Sequence, residues 1–90
     1  MIFQITQSDI DNGVADDCFN CPAGLCITRT TGKRADVSLV AIDIEQQPGV
    51  WESFDMPLAL ALWIDDFDAG EPVEPISFEL PYVPFDEVLA

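Results

Sequence analysis

From Asp36 to Ala90 the chain holds thirteen carboxylates and not one Lys, Arg or His. The three cations, Arg29, Lys33 and Arg34, are confined to six consecutive positions. Over all 90 residues, 17 acids stand against 3 bases, a formal net charge of −14. Few internal salt bridges can form under that imbalance, so a folded state leaves its carboxylates to solvent or to a partner. An acidic chain poor in apolar residues would stay disordered. Here 49% of residues are hydrophobic and mean hydropathy is +0.21, which supplies enough Leu, Ile, Val and Phe for a core. The length suits a single small acidic domain over residues 1–90 rather than two.

The magnitude of the charge has a natural comparison. A folded chain of this length has a radius of gyration of roughly 12 Å and spans about 30 Å. Duplex DNA carries one charge per about 1.7 Å of axis, hence roughly 18 over that span. The net −14 is of the same order. Solubility needs only about 2–8 charges on a small domain, so the excess calls for another reason, either a halophile-like solvated surface or a basic partner. A sequence pI near 4.1 argues against nucleic acid, anionic lipid or acidic substrates as direct partners.

The first residues, Met1 to Asp9, have no basic region and too short an apolar run for a signal peptide. The longest apolar stretch, Met56 to Ile64, is nine residues, too short for a membrane span. The expectation is a soluble protein of the cytoplasm, monomeric or a small homo-oligomer, with no membrane partner. Cys18, Cys21 and Cys26 are an odd set that argues against a disulfide framework. Cys18-Phe-Asn-Cys21 has C-x-x-C spacing, which could serve zinc or redox chemistry. Tetrahedral zinc asks for four Cys or His ligands, and Asp16-Asp17 beside the motif would raise thiol pKa values. Small buried or half-buried thiols are the expected role, with no metal and no cofactor.

Alternation at Phe3 and Ile5 predicts a first strand, and Thr6 or Ser8 is placed to cap a brief helical turn stopped by Gly13. Pro22 opens a helix to about Thr30, with Gly32 as its stop. Residues 36–45 read as one long central strand, joined through Gln47-Pro-Gly49 to a partner over 50–54. Asp55 is placed to cap a helix opened by Pro57, running through Phe67 to Gly70, with a nearly complete apolar face for the sheet. Ile76, Phe78 and Leu80 alternate as a last strand, and the tail after Pro81 reads as extended. The order β-α-α-β-β-α-β implies an α+β fold, a mostly antiparallel sheet of about four strands with two or three short helices on one face.

Asp65, Asp66 and Asp68 fall in the last turn of the predicted second long helix, where the helix dipole is negative and each exposed acid costs about 0.3–1 kcal/mol. Glu71 and Glu74 follow, giving five carboxylates in ten residues. Acids that break a local rule mark a candidate site, although acidic, proline-bounded turns are also common on surfaces. Calcium is the rival explanation. EF-hand spacing started at Asp66 or at Asp9 puts its glycine, Gly70 or Gly13, at position 5 instead of 6, and neither fits. No Ser–His or Cys–His pair, phosphate loop or cofactor motif is present, and the chain is too short for a sugar cleft besides a core, so no enzymatic activity is expected.

Three blocks carry a resemblance. Thr6-Gln-Ser-Asp-Ile-Asp-Asn-Gly13, Cys18-Phe-Asn-Cys21-Pro22-Ala-Gly-Leu-Cys-Ile27 and Phe67-Asp-Ala-Gly-Glu-Pro-Val-Glu-Pro-Ile-Ser-Phe-Glu-Leu80 together resemble a family of small uncharacterised phage and prophage proteins. The shared pattern is close to T-x-x-D-I-x-x-G, C-x-x-C-P-x-A-L-A-L and F-D-x-G-x-P-V-x-P-F-x-F. The chain departs at Gly24 and Cys26, where the pattern has Ala, and at Ile76, where it has Phe. The resemblance implies a phage origin and no particular chemistry.

In charge and size, a small acidic phage protein is similar in kind to anti-CRISPR proteins and other DNA mimics, which offer carboxylates in place of phosphates. The expectation is a phage-encoded inhibitor that occupies the basic surface of a host nucleic-acid-binding protein or CRISPR effector complex in the cytoplasm of the infected bacterium. Asp65, Asp66, Asp68, Glu71 and Glu74 from the helix end, with Asp43, Glu45, Glu52 and Asp55 from the strand edge, are the candidate phosphate-like array. The alternative is a phage structural or protein-interaction module without DNA mimicry, binding through an apolar patch at Trp51 and the Tyr82–Phe85 tail.

Overall fold

A computed structural model describes residues 1–83. Strand β1 (Ile2–Ile5) turns Phe3 and Ile5 inward and leaves Ile2 and Gln4 outside, as its alternation requires. Thr6 is the cap of helix α1 (Gln7–Asn12). Its hydroxyl accepts from the Asp9 N–H, and the Asp9 carboxylate accepts from the Thr6 N–H, a reciprocal capping box. Helix α2 (Pro22–Thr31) opens on proline, with Cys21 as cap and its Sγ accepting from the Gly24 N–H at 3.4 Å. It ends where Gly32 turns left-handed at φ 72°.

The expected long strand over 36–45 is two strands. Strand β2 (Ala35–Val37) folds back on β3 (Ala41–Gln47), with Ala35 opposite Ile44 and Val37 opposite Ile42. Ser38 is the physical reason. Its Oγ accepts from the Val40 and Ala41 N–H groups, and its own N–H donates to the Ala41 carbonyl at 3.0 Å, closing a tight turn. A second hairpin through Gly49 (φ 80°) leads to β4 (Val50–Asp55), followed by helix α3 (Leu58–Asp68) and strand β5 (Ile76–Glu79).

The fold is α+β, with three helices and five strands, all pairs antiparallel. The strands form a two-stranded sheet, β1–β5, and a three-stranded sheet, β2–β3–β4, where one sheet of about four was expected. One apolar cluster joins the two. Phe3 and Phe78, opposite each other in β1–β5, stack at 5.2 Å, while Ile42, Ile44 and Phe54 contribute from the other sheet. Tyr82 lies buried between them, edge-on to Phe3 at 6.3 Å and to Phe54 at 6.1 Å. That removes Tyr82 from any exposed patch, and Phe85 lies outside the described residues.

Helix α3 departs from expectation in two ways. Asp55 ends β4 and does not cap it; Pro57 occupies the cap position, where no side-chain hydrogen bond is made. Its apolar residues are spread around the axis, so Leu60 and Ile64 are buried in the core, Trp63 packs partly buried against it, and the rest of the apolar surface is left outside. Leu58 and Leu62 remain 75% and 60% exposed. Among the described residues, no helix is long and apolar enough to cross a membrane.

Candidate interaction surface

All three cations have partners within the chain, and Arg29 alone is paired with a carboxylate. Arg29 pairs with the Asp9 carboxylate at 2.8 Å and also donates to the Gln4 carbonyl at 3.0 Å. Lys33 donates through Nζ to the Gln46 carbonyl at 2.7 Å. Arg34 lies over the rings of Phe19 and Trp51, 4.9 and 5.9 Å from their centroids. Among the described residues, Asp9 is therefore the one carboxylate held in an ion pair.

The uncompensated acids are not scattered. Asp43 on β3 sits directly opposite Asp36 on β2, on the face of the sheet turned away from the core, because Ile42, Ile44, Ala35 and Val37 take the other face. Beside Asp36 lies Cys18, whose backbone carbonyl accepts from the Val37 N–H at 2.8 Å. Asp17 and Asp68 also act on this thiol. Burial first, then the charge and hydrogen bond of Asp36, then Asp17 and Asp68, push the Cys18 thiol above its ordinary pKa. The Asp68 carboxylate accepts from the Asp16 N–H at 3.0 Å, tying the end of α3 to a loop in which Asp16 takes φ 58°. Asp65 and Asp66 continue from Asp68 along the last turn of α3 into solvent. Asp43, Asp36, Asp17 and Asp68 thus make an acidic ridge from the outer sheet face to the end of α3, where Asp65 and Asp66 add exposed carboxylates in the same turn.

The helix end is built by its own backbone. Gly70 at φ 81° lets the Glu71 N–H return to the Asp66 carbonyl at 2.9 Å. Trp63 Nε1 then donates to the Glu74 carbonyl at 2.8 Å, holding the 71–75 segment against α3, with Trp63 stacked on Phe67 at 6.0 Å. Asp65, Asp66, Glu71 and Glu74 are all exposed, and none makes a side-chain hydrogen bond or ion pair among the described residues.

The strand-edge group divides. Asp43, Glu45 and Asp55 share the outer face through their pairings with Ser53, Trp51 and Ala41. Glu52 faces the other way, opposite Ile44, and accepts from the Gln46 amide at 2.8 Å. Glu45 is engaged locally, accepting from the Gly49 N–H at 3.1 Å in the hairpin turn. Period-two alternation across the hairpin separates Glu52 from its neighbours, and that required the register. Asp16, Asp17 and Asp36 belong to the ridge and were not among the sequence candidates. For Asp16 and Asp17 the signal was the acidic pair beside the C-x-x-C, read there for its effect on the thiols alone, whereas Asp36 had no local signal.

Thiol chemistry finds little support. Cys21 and Cys26 are buried, with Cys26 pushed up to about 11 by burial and the Asp9 charge, and all three cysteines are free. Among the described residues, no three His, Cys, Asp or Glu side chains converge as a metal site. Comparison with known protein families, curated proteins and solved structures finds no match to this chain.

Proposed function

We propose that the protein is an acidic DNA mimic, an inhibitor that occupies the basic nucleic-acid-binding surface of a host protein or CRISPR effector complex in an infected bacterium. The observation that carries this reading is the ridge from Asp43 and Asp36 through Asp17 and Asp68 to Asp65 and Asp66, in a molecule with three cations, of which Arg29 alone is paired with a carboxylate among the described residues. An ordinary solvated surface intersperses both signs, whereas carboxylates left without counter-charge hold a field that attracts a cationic groove and speeds association. The test is capture of a bacterial nucleic-acid-binding protein on the immobilised chain at low salt. Duplex DNA and 0.5 M salt should each release it, and Asp65→Asn with Asp66→Asn should weaken capture roughly tenfold. Capture indifferent to DNA, salt and both substitutions would overturn the proposal.

A second reading, a phage protein-interaction module without mimicry, draws on the exposed side chains of Leu58, Leu62 and Trp51. Such a partner would remain bound at high salt and be lost on Leu58→Ser with Leu62→Ser.

A further inference from the structure

Between the 15–18 loop, the start of the Ser38 turn and the end of α3 lies an open cavity of about 230 Å³. Its lining is mostly apolar, with Cys21, Val37 and Ile64 buried at the floor and Cys18, Ser38 and the half-exposed Leu39 completing the wall. Its rim is anionic, formed by Asp16, Asp17 and Asp68. We infer that this cavity receives one arginine side chain of a basic partner, the aliphatic stem on the apolar floor and the guanidinium against the rim. The inference rests on the DNA-mimic reading for the partner's basic character and adds the feature that recognises it.

Size, polarity and rigidity all select this occupant. Cavities for drug-sized ligands begin at about 300 Å³, so this one suits a single side chain. An apolar floor beneath a charged rim matches a side chain with a hydrocarbon stem and a cationic head. No cation of the chain supplies that head, since Arg29, Lys33 and Arg34 are engaged elsewhere. The rim is also set in advance. Asp68 is oriented by the Asp16 N–H at 3.0 Å, and Asp17 by the N–H groups of Phe19 and Asn20 at 2.9 and 2.8 Å. Carboxylates fixed in direction favour the planar, forked guanidinium over the compact ammonium of lysine. Because their ordering precedes binding, little is lost when the partner arrives.

The experiment is a titration of the isotope-labelled protein with N-acetylarginine methylamide, followed by NMR, beside the lysine and the uncharged citrulline counterparts. Saturating shifts are expected at Asp16–Cys21, Val37–Leu39 and Ile64–Asp68 with arginine, roughly tenfold weaker binding with lysine, and none with citrulline. Leu39→Trp, a change at a half-exposed turn residue that keeps every charge, should fill the cavity and abolish saturation. Shifts spread over all acidic residues, equal binding of lysine, or an unaffected Leu39→Trp protein would each overturn the inference. The two proposals fail separately. Partner capture that Leu39→Trp leaves intact removes the cavity and spares the mimic, whereas saturation by arginine without DNA-sensitive capture does the reverse.

Discussion

Asp9 is the one buried acid among the described residues, and opposing effects meet on it. Burial pushes its pKa up. The Arg29 hydrogen bond, the Thr6 N–H and the Arg29 charge outweigh that and hold it below the usual carboxylate range. A depressed folded-state pKa stabilises the fold above the unfolded value of about 3.9, and that contribution is lost as pH falls through the folded value. Arg29 is half exposed, so the ion pair itself adds little, and the capping box and the part-buried hydrogen bonds dominate. Asp9→Ala should cost about 2 kcal/mol in urea unfolding at pH 7, and the gap to the native protein should narrow below about pH 4. A gap of the same size at pH 7 and pH 3 would show that the carboxylate is not what stabilises the site. The sequence offered Thr6 and Ser8 equally as caps; it held no sign that Arg29, twenty residues on, closes over the same carboxylate.

Helix α2 shows where local preference and packing part company. Alanine is the better helix former by about 1 kcal/mol, so propensity alone says that Gly24→Ala should stabilise α2. A Cβ at Gly24 would stand 2.5 Å from the Phe19 carbonyl oxygen, a backbone atom of the loop that precedes the helix. We expect Gly24→Ala to destabilise by about 1–3 kcal/mol in thermal unfolding, and a raised melting temperature would refute the contact. This approach gives the chain a packing reason for glycine at position 24. Much of the fold was legible at this scale: β1, α2, the Gly49 hairpin, α3 and β5 follow from alternation, Pro22, Gly32 and Gly70. The Ser38 turn was hidden because residues 36–45 are uniformly apolar enough to pass for one strand, and a single hydroxyl decides otherwise. Of the candidate site, the α3 terminus was readable from its conflict with the helix dipole. Its junction with Asp36 and Asp16 was not, since it depends on long-range contacts.

For the molecule as a whole, one cause gives salt two opposite effects. Fourteen of the fifteen acids within residues 1–83 have no ion-pair partner among the described residues, so the isolated protein repels itself. Screening that repulsion should stabilise it, by about 1–2 kcal/mol between 10 mM and 0.5 M sodium chloride, or roughly 4–15 °C in melting temperature for a domain of this size. The Asp9–Arg29 pair works the other way, but a single half-exposed pair is too weak to reverse the sum. The same screening would remove the attraction to the proposed cationic groove, so affinity for the proposed partner should fall over the range in which stability rises. Parallel melting and binding series in sodium chloride check the pair of signs. A halophile-like surface with no electrostatic partner would give the rise in stability alone, and a protein held to its partner by Leu58 and Leu62 would keep its affinity throughout. Only a ridge left uncompensated for the sake of binding requires the two curves to diverge.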